Sequence, residues 1–465
     1  MNRIDLIASL CNNSEVICDI GCDHAQVIVK AIKNYGVKFG YACDISEGPL
    51  KQAAINICNH NLQDKVKMIL SDGFNNVDFE FDTAILAGMG GILISNILSL
   101  GLDKIRGKKL IIEANSDVAK VREFLFNNSF IITDEYAIYD ANKYYEIIVA
   151  ENGNAKYDEH DINFGPILRR KKPEAFIKYY EALIDHYSNI ISKISNNVVR
   201  KEKEKYFESI VEVLALGVCE KHQVEGSKNY YKTYFLDEEA RPTIFVSAGG
   251  GYSYTSARES GPVAKIFNEL GYHVVVINYR EDLEEFFPIP QEFFASVVNK
   301  YKDDKRVKNT IGLGFSAGGH NLLEVALHKN IYGANFDLIM LAYPVVSSDN
   351  SIWHKWSFKY LLGEKFNDDK LLYRLSEEYE VTNEAPKLFI WSTFEDAAVP
   401  VLNTITLASI YKMNGVECEM HIFPYGAHGF SVANKYSAEG MEEKVDPYIA
   451  RWVNFADEWI KKNLN

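Results

Sequence analysis

The sequence contains no run of 18 or more apolar residues, the length that a helix needs to cross a membrane. Its first residues, MNRIDLIASLCNNSE, lack the long apolar core and the small-residue cleavage site of a signal peptide. With 47% hydrophobic and 25% charged residues, the composition is that of ordinary globular proteins. We therefore expect a soluble, cytoplasmic protein that does not contact membranes.

Cysteine is scarce and has no metal-binding pattern. The seven cysteines are an odd number, and none forms a Cys-x-x-Cys pair. Several lie in apolar segments, where free cysteine behaves as a small hydrophobic residue. We therefore expect reduced thiols in the core, with neither disulfides nor a metal site.

Positive charge is also scarce, because the formal net charge is -14. This balance argues against a nucleic-acid-binding field over the whole protein. Any RNA contact must then come from local basic clusters, and the first candidate is Arg169, Arg170, Lys171 and Lys172. A second cluster is formed by Arg200, Lys201, Lys203 and Lys205, and either cluster could equally be a solvated helix face.

Between residues 16 and 150, apolar strand-like runs alternate with amphipathic helical stretches. This alternation predicts an α/β fold with a doubly wound parallel sheet. Two adjacent strand-like runs at its end, FIITDEYAIYD and KYYEIIVAE, indicate an antiparallel edge. The pattern is that of a class I, Rossmann-like methyltransferase.

Acidic residues follow the first three predicted strands, where parallel sheets bind their ligands. In VICDIGCD, Gly21 lets the backbone approach a ligand, and Asp44, 23 residues later, can accept from two ribose hydroxyls. Asp72 in SDGF can accept from an adenine amino group. The pattern favours a nucleoside cofactor, although spacing leaves NAD open. Asp23 could instead cap a helix, and Asp44 or Asp72 could be turn residues.

The fourth predicted strand ends in a flexible glycine-rich stretch, residues 87–91, instead of a side-chain catalyst. Methyl transfer to a neutral ring nitrogen needs no strong base, because the lone pair is already free. Alignment of the reactants in a backbone cradle would suffice. The alternative is a strand-to-helix turn that glycines make tight.

Six segments in order, DIGCDHA, CDISEGPLKQAA, SDGF, AGMGG, KYYEIIVAE and FGPILRRKKPEAF, resemble the bacterial tRNA (adenine-N1)-methyltransferase family over residues 2–216. The resemblance implies that S-adenosyl-L-methionine is held by Asp19, Gly21, Asp23, His24, Asp44, Asp72 and Gly73. It implies a target-base loop of Gly88, Met89, Gly90, Gly91 and Asn115, and contact of the first basic cluster with tRNA. The family usually carries Gln-Pro-Asn where this chain has Glu113-Ala114-Asn115, so we expect a negative charge to face the base or a phosphate.

The second half has its own centre in Gly314-Phe315-Ser316-Ala317-Gly318, which fits G-x-S-x-G between an apolar strand and a helix. This context is typical of a nucleophile elbow, with Ser316 as the nucleophile.

A serine nucleophile needs a base, and the base needs an acid that fixes its tautomer. Asp396 and His428 both follow predicted strands in the order Ser, Asp, His, although Glu395 is adjacent to Asp396. For the oxyanion hole we predict the backbone N–H groups of Gly250, Gly251 and Ala317.

The segments GGGYSYTSARESGPVA, GFSAGGH, YPVV, FEDAAVPV and HIFPYGAHG resemble the bacterial esterase and acetyl-xylan-esterase-like branch of the α/β-hydrolases, over residues 225–465. The resemblance implies a serine esterase acting on a small-molecule or carbohydrate ester. Aromatic residues after YPVV either line an acyl or sugar pocket or pack a small cap: Trp353, Trp356, Phe358 and Tyr360.

We therefore predict a bifunctional fusion. Residues 1–160 form the methyltransferase domain, 161–220 a helical hairpin or coiled coil, and 221–465 an α/β-hydrolase. An alternative is an esterase whose N-terminal domain binds S-adenosylmethionine or RNA without catalysis. A third possibility is that the hydrolase fold is inert.

Overall fold

The computed structural model describes residues 1–464, and the chain divides into two compact units, residues 1–181 and the residues from 182 onward. Among the described residues, no helix combines the length and the apolar character needed to span a bilayer.

The first unit contains one seven-stranded sheet with the order β3-β2-β1-β4-β5-β7-β6. Strands β1 to β5 are parallel, and β7 and β6 complete one edge in antiparallel orientation. The strands are β1 Val16–Ile20, β2 Phe39–Asp44, β3 Val66–Leu70, β4 Thr83–Gly90, β5 Lys109–Ser116, β6 Phe130–Asp140 and β7 Lys143–Asn152. The helices are α1 Arg3–Ser9, α2 Gln26–Asn34, α3 Glu47–Asn59, α4 Gly91–Leu100, α5 Leu102–Ile105, α6 Val118–Asn127, α7 Glu159–Phe164 and α8 Leu168–Lys171.

Strand β1 lies at the point where the strand order reverses. It pairs with β2 on one side and β4 on the other, because the chain moves outward first in one direction and then in the other. Ile17 of β1 packs in one apolar cluster and Cys18 in another, so both faces of the sheet are buried. The predicted doubly wound sheet is confirmed, and the carboxyl end of β1 lies at its switch point.

Two long helices occupy the segment predicted as a hairpin, α9 Glu174–Ile191 and α10 Asn197–Leu214. The boundary between the units falls inside α9. In its first half, the Tyr180 ring lies 5.3 Å from that of Phe164 in the first unit. In its second half, the Tyr187 ring lies 5.2 Å from that of Tyr206 of α10. The contacts thus group α10 with the second unit, whereas the sequence places the boundary near residue 220.

The second unit contains an eight-stranded sheet with the order β15-β14-β13-β12-β10-β11-β9-β8. Strands β10 to β15 are parallel, and β9 and β8 extend one edge in antiparallel orientation. The strands are β8 Val218–Gln223, β9 Tyr230–Phe235, β10 Arg241–Ser247, β11 His273–Asn278, β12 Val307–Phe315, β13 Leu338–Ala342, β14 Lys387–Thr393 and β15 Cys418–Phe423. The helices are α11 Gly261–Glu269, α12 Ile289–Lys300, α13 Ala317–Leu327, α14 Lys329–Tyr332, α15 Lys355–Leu362, α16 Asp369–Arg374, α17 Leu402–Met413, α18 Lys435–Ala438 and α19 Trp452–Leu464.

Candidate active sites

A cavity of about 720 Å³ opens at the carboxyl ends of β1, β2, β3 and β4 in the first unit. The structure brings to its wall all seven residues predicted to bind the cofactor: Asp19, Gly21, Asp23, His24, Asp44, Asp72 and Gly73. Gly21 has a φ of +75°, and a Cβ added there would lie 3.3 Å from Met89 Sδ, so this turn requires glycine.

Two carboxylates line this cavity, the buried Asp19 and the half-buried Asp44. Burial, and then the negative charge of Asp44, raise the pKa of Asp19 to about 7. A positively charged ligand group nearby would favour the ionised form of Asp19. Asp44 ends β2, and its Oδ1 accepts a hydrogen bond from the Ser46 amide at 3.0 Å. The cavity therefore suits a ligand that carries both a cationic group and hydroxyl donors.

The glycine-rich stretch is not a flexible loop, because Gly88 to Gly90 end β4 and Gly91 begins α4. Gly88 and Met89 line the cavity, as does Asn115. Gly91 is buried, and a Cβ there would lie 2.3 Å from the carbonyl oxygen of Asp117. Gly90 and Gly91 are absent from the cavity wall, so the cavity brings together only Gly88, Met89 and Asn115 of the predicted target-base loop. Gly91 instead permits close packing where β4 turns into α4.

Glu113 does not present its charge to a ligand, contrary to the expectation from its departure from the family pattern. Its side chain is 0% exposed, and Oε2 accepts hydrogen bonds from Arg3 Nη1 at 2.7 Å and from the Gly88 amide at 3.0 Å. Burial raises the pKa of Glu113, while the guanidinium of Arg3 opposes that rise. The acid is therefore an internal anchor for the end of β4.

We expect Arg3→Ala to reduce the free energy of unfolding of the first unit by roughly 1 to 3 kcal/mol, because a buried acceptor loses its charged partner. The double variant with Glu113→Gln should recover most of this loss, since a neutral amide needs no cation. Thermal unfolding of the wild type, both single variants and the double variant would measure the coupling. A loss in the double variant equal to the sum of the two single losses would show that the pair is not coupled.

Sequence reasoning assigned no site role to Arg3, Lys143 and Tyr145, which form one wall of the cavity. The Arg3 guanidinium lies 4.6 Å from the centroid of the Tyr145 ring, and Lys143 Nζ lies 5.0 Å from it. Lys143 also donates to Asn115 Oδ1 at 3.3 Å, and Asn115 Nδ2 donates to the Gly88 carbonyl at 2.6 Å. Lys143 and Tyr145 lie in the segment KYYEIIVAE, which the family resemblance had already singled out, whereas Arg3 lies in no such segment.

The first basic cluster is largely occupied by internal ion pairs. Arg169 is 2% exposed, and its guanidinium pairs with Asp161 at 2.7 Å and with Asp158 at 2.9 Å. Its predicted contact with RNA is therefore wrong, because the side chain braces the segment that joins α7 to α8. Arg170 pairs with Asp161 at 3.0 Å and Lys171 with Asp134 at 2.8 Å, but both are partly exposed. Lys172 ends α8 in the left-handed conformation.

In the second unit, Ser316 stands between β12 and α13 with φ +52° and ψ -121°. A Cβ on Gly314 would lie 2.7 Å from the Gly318 carbonyl oxygen, and one on Gly318 would lie 2.1 Å from that of Ser247. The turn therefore excludes side chains at both glycine positions, as the sequence predicts for an elbow.

The structure brings Ser316, His428 and Asp396 into hydrogen-bond contact. His428 Nδ1 lies 2.6 Å from Asp396 Oδ2, and Nε2 lies 2.8 Å from Ser316 Oγ. Because a carboxylate only accepts, Nδ1 carries the proton, and Nε2 is left to accept from the serine hydroxyl. Asp396 is held by the amides of Ala398 and Val399, whereas the neighbouring Glu395 accepts from the amide of Gly426.

Residues 249–252, which we call the oxyanion loop, follow β10 beside the elbow. The amide of Gly249 donates to Glu259 Oε2 at 2.7 Å, which directs it away from a ligand. Gly250 and Gly251 have φ values of +123° and +63°, and a Cβ on Gly250 would lie 2.1 Å from the Tyr254 carbonyl oxygen. Gly250 and Gly251 are therefore better placed than Gly249 to offer amides to a substrate.

Glu259 is a buried residue that the sequence analysis did not select, although it lies in the segment GGGYSYTSARESGPVA. Besides Gly249, it accepts a hydrogen bond from the Tyr343 hydroxyl at 2.6 Å. The Tyr343 ring packs with its centroid 4.9 Å from that of His428. One carboxylate thus connects the oxyanion loop with the wall behind the histidine.

The aromatic residues after YPVV do not form one surface. Phe358 is buried in the core, whereas Trp356 and Tyr360 are exposed on α15. Trp353 stacks against Phe366 with centroids 5.9 Å apart. Most of this group therefore packs a small cap or faces solvent.

Two fully buried carboxylates lie close together, Glu324 on α13 and Glu377 in the segment that follows α16. One carboxylate oxygen of Glu324, one of Glu377 and one ring nitrogen of His328 all lie within 4.8 Å of one another. Arg374 forms two hydrogen bonds to Glu324, while neither oxygen of Glu377 accepts a hydrogen bond among the described residues, although His320 Nε2 lies 3.5 Å from Oε1. Burial, and then the charge of Glu324, raise the pKa of Glu377 well above its ordinary value. A proton held by Glu377 and donated to Glu324 accounts for this arrangement.

Because the pKa of Glu377 is raised by folding, the stability it contributes is present at low pH and lost as pH rises above about 4.5. Glu377→Gln, which mimics the protonated acid, should therefore unfold at the same temperature as the wild type near pH 4.5. Near pH 8 it should unfold roughly 2 to 4 °C higher for each kcal/mol gained. Calorimetry across this pH range measures the difference. A lower unfolding temperature for the variant, with destabilisation of the wild type by EDTA, would instead indicate a metal ion between the carboxylates.

Comparison with known proteins assigns the two halves to different relatives. Residues 17–215 match the family model "tRNA (adenine(22)-N(1))-methyltransferase". The tRNA (adenine(22)-N(1))-methyltransferase of Bacillus subtilis is 29% identical over 46% of this chain and 93% of its own length. A putative tRNA methyltransferase of Mycoplasma genitalium is 30% identical over 40% of this chain and 86% of its own length.

Residues 294–461 match the model of the prolyl oligopeptidase family. An acetylxylan esterase of Xylanibacter ruminicola is 35% identical over 42% of this chain. The chain spans only 42% of the length of that esterase.

Proposed function

The chain belongs, through residues 17–215, to the tRNA (adenine(22)-N(1))-methyltransferase family, and we propose that it joins this S-adenosylmethionine-dependent activity to a serine carboxylesterase. For the first activity, the supporting observation is the cavity at the switch point, whose wall carries all seven predicted cofactor-binding residues. For the second, it is the hydrogen-bonded chain from Ser316 through His428 to Asp396.

The donor set of the first cavity fits S-adenosylmethionine. Asp44 would accept from the ribose hydroxyls, Asp72 from the adenine amino group, and Asp19 would face the positively charged end. When bound, the cofactor supplies a methyl group activated by a sulfonium. Gly88 and Met89 would face the incoming base, with Asn115 held against the Gly88 carbonyl. No general base is required, because adenine N1 presents a free lone pair and alignment dominates the barrier.

Transfer of labelled methyl from S-adenosylmethionine to unmodified tRNA tests this proposal, with the product nucleoside identified by chromatography. We expect 1-methyladenosine at a single adenine of the D-arm, and none in tRNA that carries another base there. Binding of S-adenosylmethionine without transfer to any tRNA would favour the alternative, a non-catalytic binding module.

In the proposed esterase reaction, Ser316 Oγ attacks the ester carbonyl carbon while its proton passes to His428 Nε2. The amides of Gly250, Gly251 and Ala317 hold the resulting oxyanion. His428 then returns the proton to the leaving alkoxide, which departs as an alcohol and leaves the acyl group on Ser316. Water, deprotonated by His428, attacks the acyl-enzyme and releases the acid. Asp396 keeps Nδ1 protonated and stabilises the charged imidazole throughout.

Hydrolysis of p-nitrophenyl acetate and of acetylated xylo-oligosaccharides tests the second activity and its substrate class. Release of acetate from the oligosaccharides at a higher kcat/KM than from the aryl ester would establish a carbohydrate substrate. No hydrolysis of either ester, with no labelling of Ser316 by a fluorophosphonate, would contradict the esterase.

A further inference from the structure

The oxyanion loop has an unusual backbone at three successive positions. Gly250, Gly251 and Tyr252 have φ values of +123°, +63° and +58°. Glycine adopts such values readily, but a residue with a Cβ does so at a cost of about 1 to 3 kcal/mol unless its surroundings hold it. The position of the two glycine amides therefore depends on what holds Tyr252.

The Tyr252 hydroxyl belongs to a series of hydrogen bonds, and the surrounding groups determine which atom donates and which accepts in each. His320 Nε2 lies 2.9 Å from the Leu375 carbonyl oxygen, which only accepts, so Nε2 carries the proton. Nδ1 must then accept from the Tyr252 hydroxyl at 2.8 Å. The same hydroxyl accepts from Gln291 Nε2 at 3.2 Å.

The side chains of Tyr252, His320 and Gln291 are all buried. Burial lowers the pKa of His320, which keeps the ring neutral and Nδ1 able to accept. The polar groups of these side chains cannot exchange their partners for bulk water, so each hydrogen bond restricts the position of the side chain in the next.

These hydrogen bonds connect the oxyanion loop to α13, the helix that follows the nucleophile. Ser316 is the N-cap of α13, and His320 lies in the first turn of that helix, where its amide donates to the Ser316 carbonyl at 3.4 Å. The loop backbone is fastened on either side, because Arg280 Nε donates to the Tyr252 carbonyl and the Tyr279 hydroxyl to that of Ala248, both at 2.7 Å. Tyr252 adds a side-chain connection from the loop to the elbow helix.

We propose that Tyr252, held by His320 and Gln291, is a positioning residue that sets the Gly250 and Gly251 amides for the oxyanion of the esterase reaction. This inference rests on the esterase activity proposed above. It gives Tyr252 a role in the transition state and none in binding the ester, because the hydroxyl acts on the substrate only through the backbone.

The test is Tyr252→Phe, which removes the hydroxyl and keeps the ring. Loss of an oxyanion donor costs about 10² to 10³ in kcat, so displacement of the donors should cost about tenfold, with KM within about twofold of wild type. The inhibition constant of a boronic acid, whose tetrahedral adduct on serine occupies the oxyanion hole, should rise by the factor by which kcat/KM falls. Gln291→Met should lower kcat and raise the boronate inhibition constant, each by a smaller factor, and should also leave KM within about twofold of wild type.

The matched control is Tyr411→Phe, in the same core, because the Tyr411 hydroxyl is buried without a hydrogen-bond partner among the described residues. It should leave kcat, KM and boronate inhibition unchanged. The inference would be overturned if Tyr252→Phe had the same kcat, KM and boronate inhibition constant as this control. It would also be overturned if the variant differed from the control only in a higher KM. If Tyr252→Phe does not fold, wild-type kinetics in a folded Gln291→Met would overturn it. Absence of ester hydrolysis in the wild type would instead reject the proposed esterase.

Discussion

Ser316→Ala should lower kcat for p-nitrophenyl acetate by roughly 10⁴-fold or more, because loss of the nucleophile removes covalent catalysis and leaves only the oxyanion hole and binding. The serine hydroxyl lies 2.8 Å from His428 Nε2, which is set to take its proton. Labelling of the protein by a fluorophosphonate should disappear with the rate. Methyl transfer to tRNA, measured on the same preparation, should be unchanged.

A buried serine elsewhere in the same sheet provides the control. Ser392 lies in β14, and its hydroxyl is buried without a hydrogen-bond partner among the described residues. Ser392→Ala should therefore keep both the rate and the labelling. Ester hydrolysis by Ser316→Ala at the rate of this control would mean that the hydrolysis takes place at another nucleophile.

Asp44→Ala should weaken the binding of S-adenosylmethionine about 100- to 10,000-fold. Two hydrogen bonds to a charged acceptor are worth about 1.5 to 3 kcal/mol each, and each 1.4 kcal/mol is a factor of ten in affinity. Titration calorimetry measures the dissociation constant directly, without relying on turnover. Asp44→Asn, which retains one acceptor oxygen, should fall between the wild type and the alanine variant.

Asp64→Ala is the matched control, because this carboxylate is exposed and does not line the cavity. It should bind S-adenosylmethionine with wild-type affinity. Equal affinities for Asp44→Ala and the control would mean that the ribose lies elsewhere. Normal affinity together with lost methyl transfer would move Asp44 from cofactor binding to the tRNA step.

Much of both sites was predictable because the relevant residues are tied to short local patterns. Ser316 follows a buried strand and precedes a helix, and Gly314 is required by its contact with Gly318 in the same turn, whereas Gly318 is required by the distant Ser247. Asp44 ends a strand that pairs with β1, so its place at the ligand edge follows from the alternation alone. Sheet topology then brings such strand ends together.

The parts that sequence reasoning missed depend on contacts between distant segments. Arg3 and Glu113 are 110 residues apart, so no local pattern revealed that the charge of Glu113 is neutralised from α1. Arg169 stands in a basic run that looks solvent-facing, but Asp161 and Asp158 bury it. Glu259 gains its role from Gly249 and Tyr343, which belong to different strand ends. In each case the role of the residue depends on hydrogen-bond or charge partners that only tertiary packing brings near it.

Helix α9 limits how the two activities could be separated. Phe176 and Tyr180 of its first half are buried, and the latter packs on Phe164. In its second half, Asp185 pairs with Lys435, and a Cβ on Gly440 would lie 2.5 Å from the Ser188 carbonyl oxygen. A single cut in the gene therefore deprives one product of part of its own interior. Two independently expressed proteins would both have to contain residues 174–191, so that this helix is encoded twice.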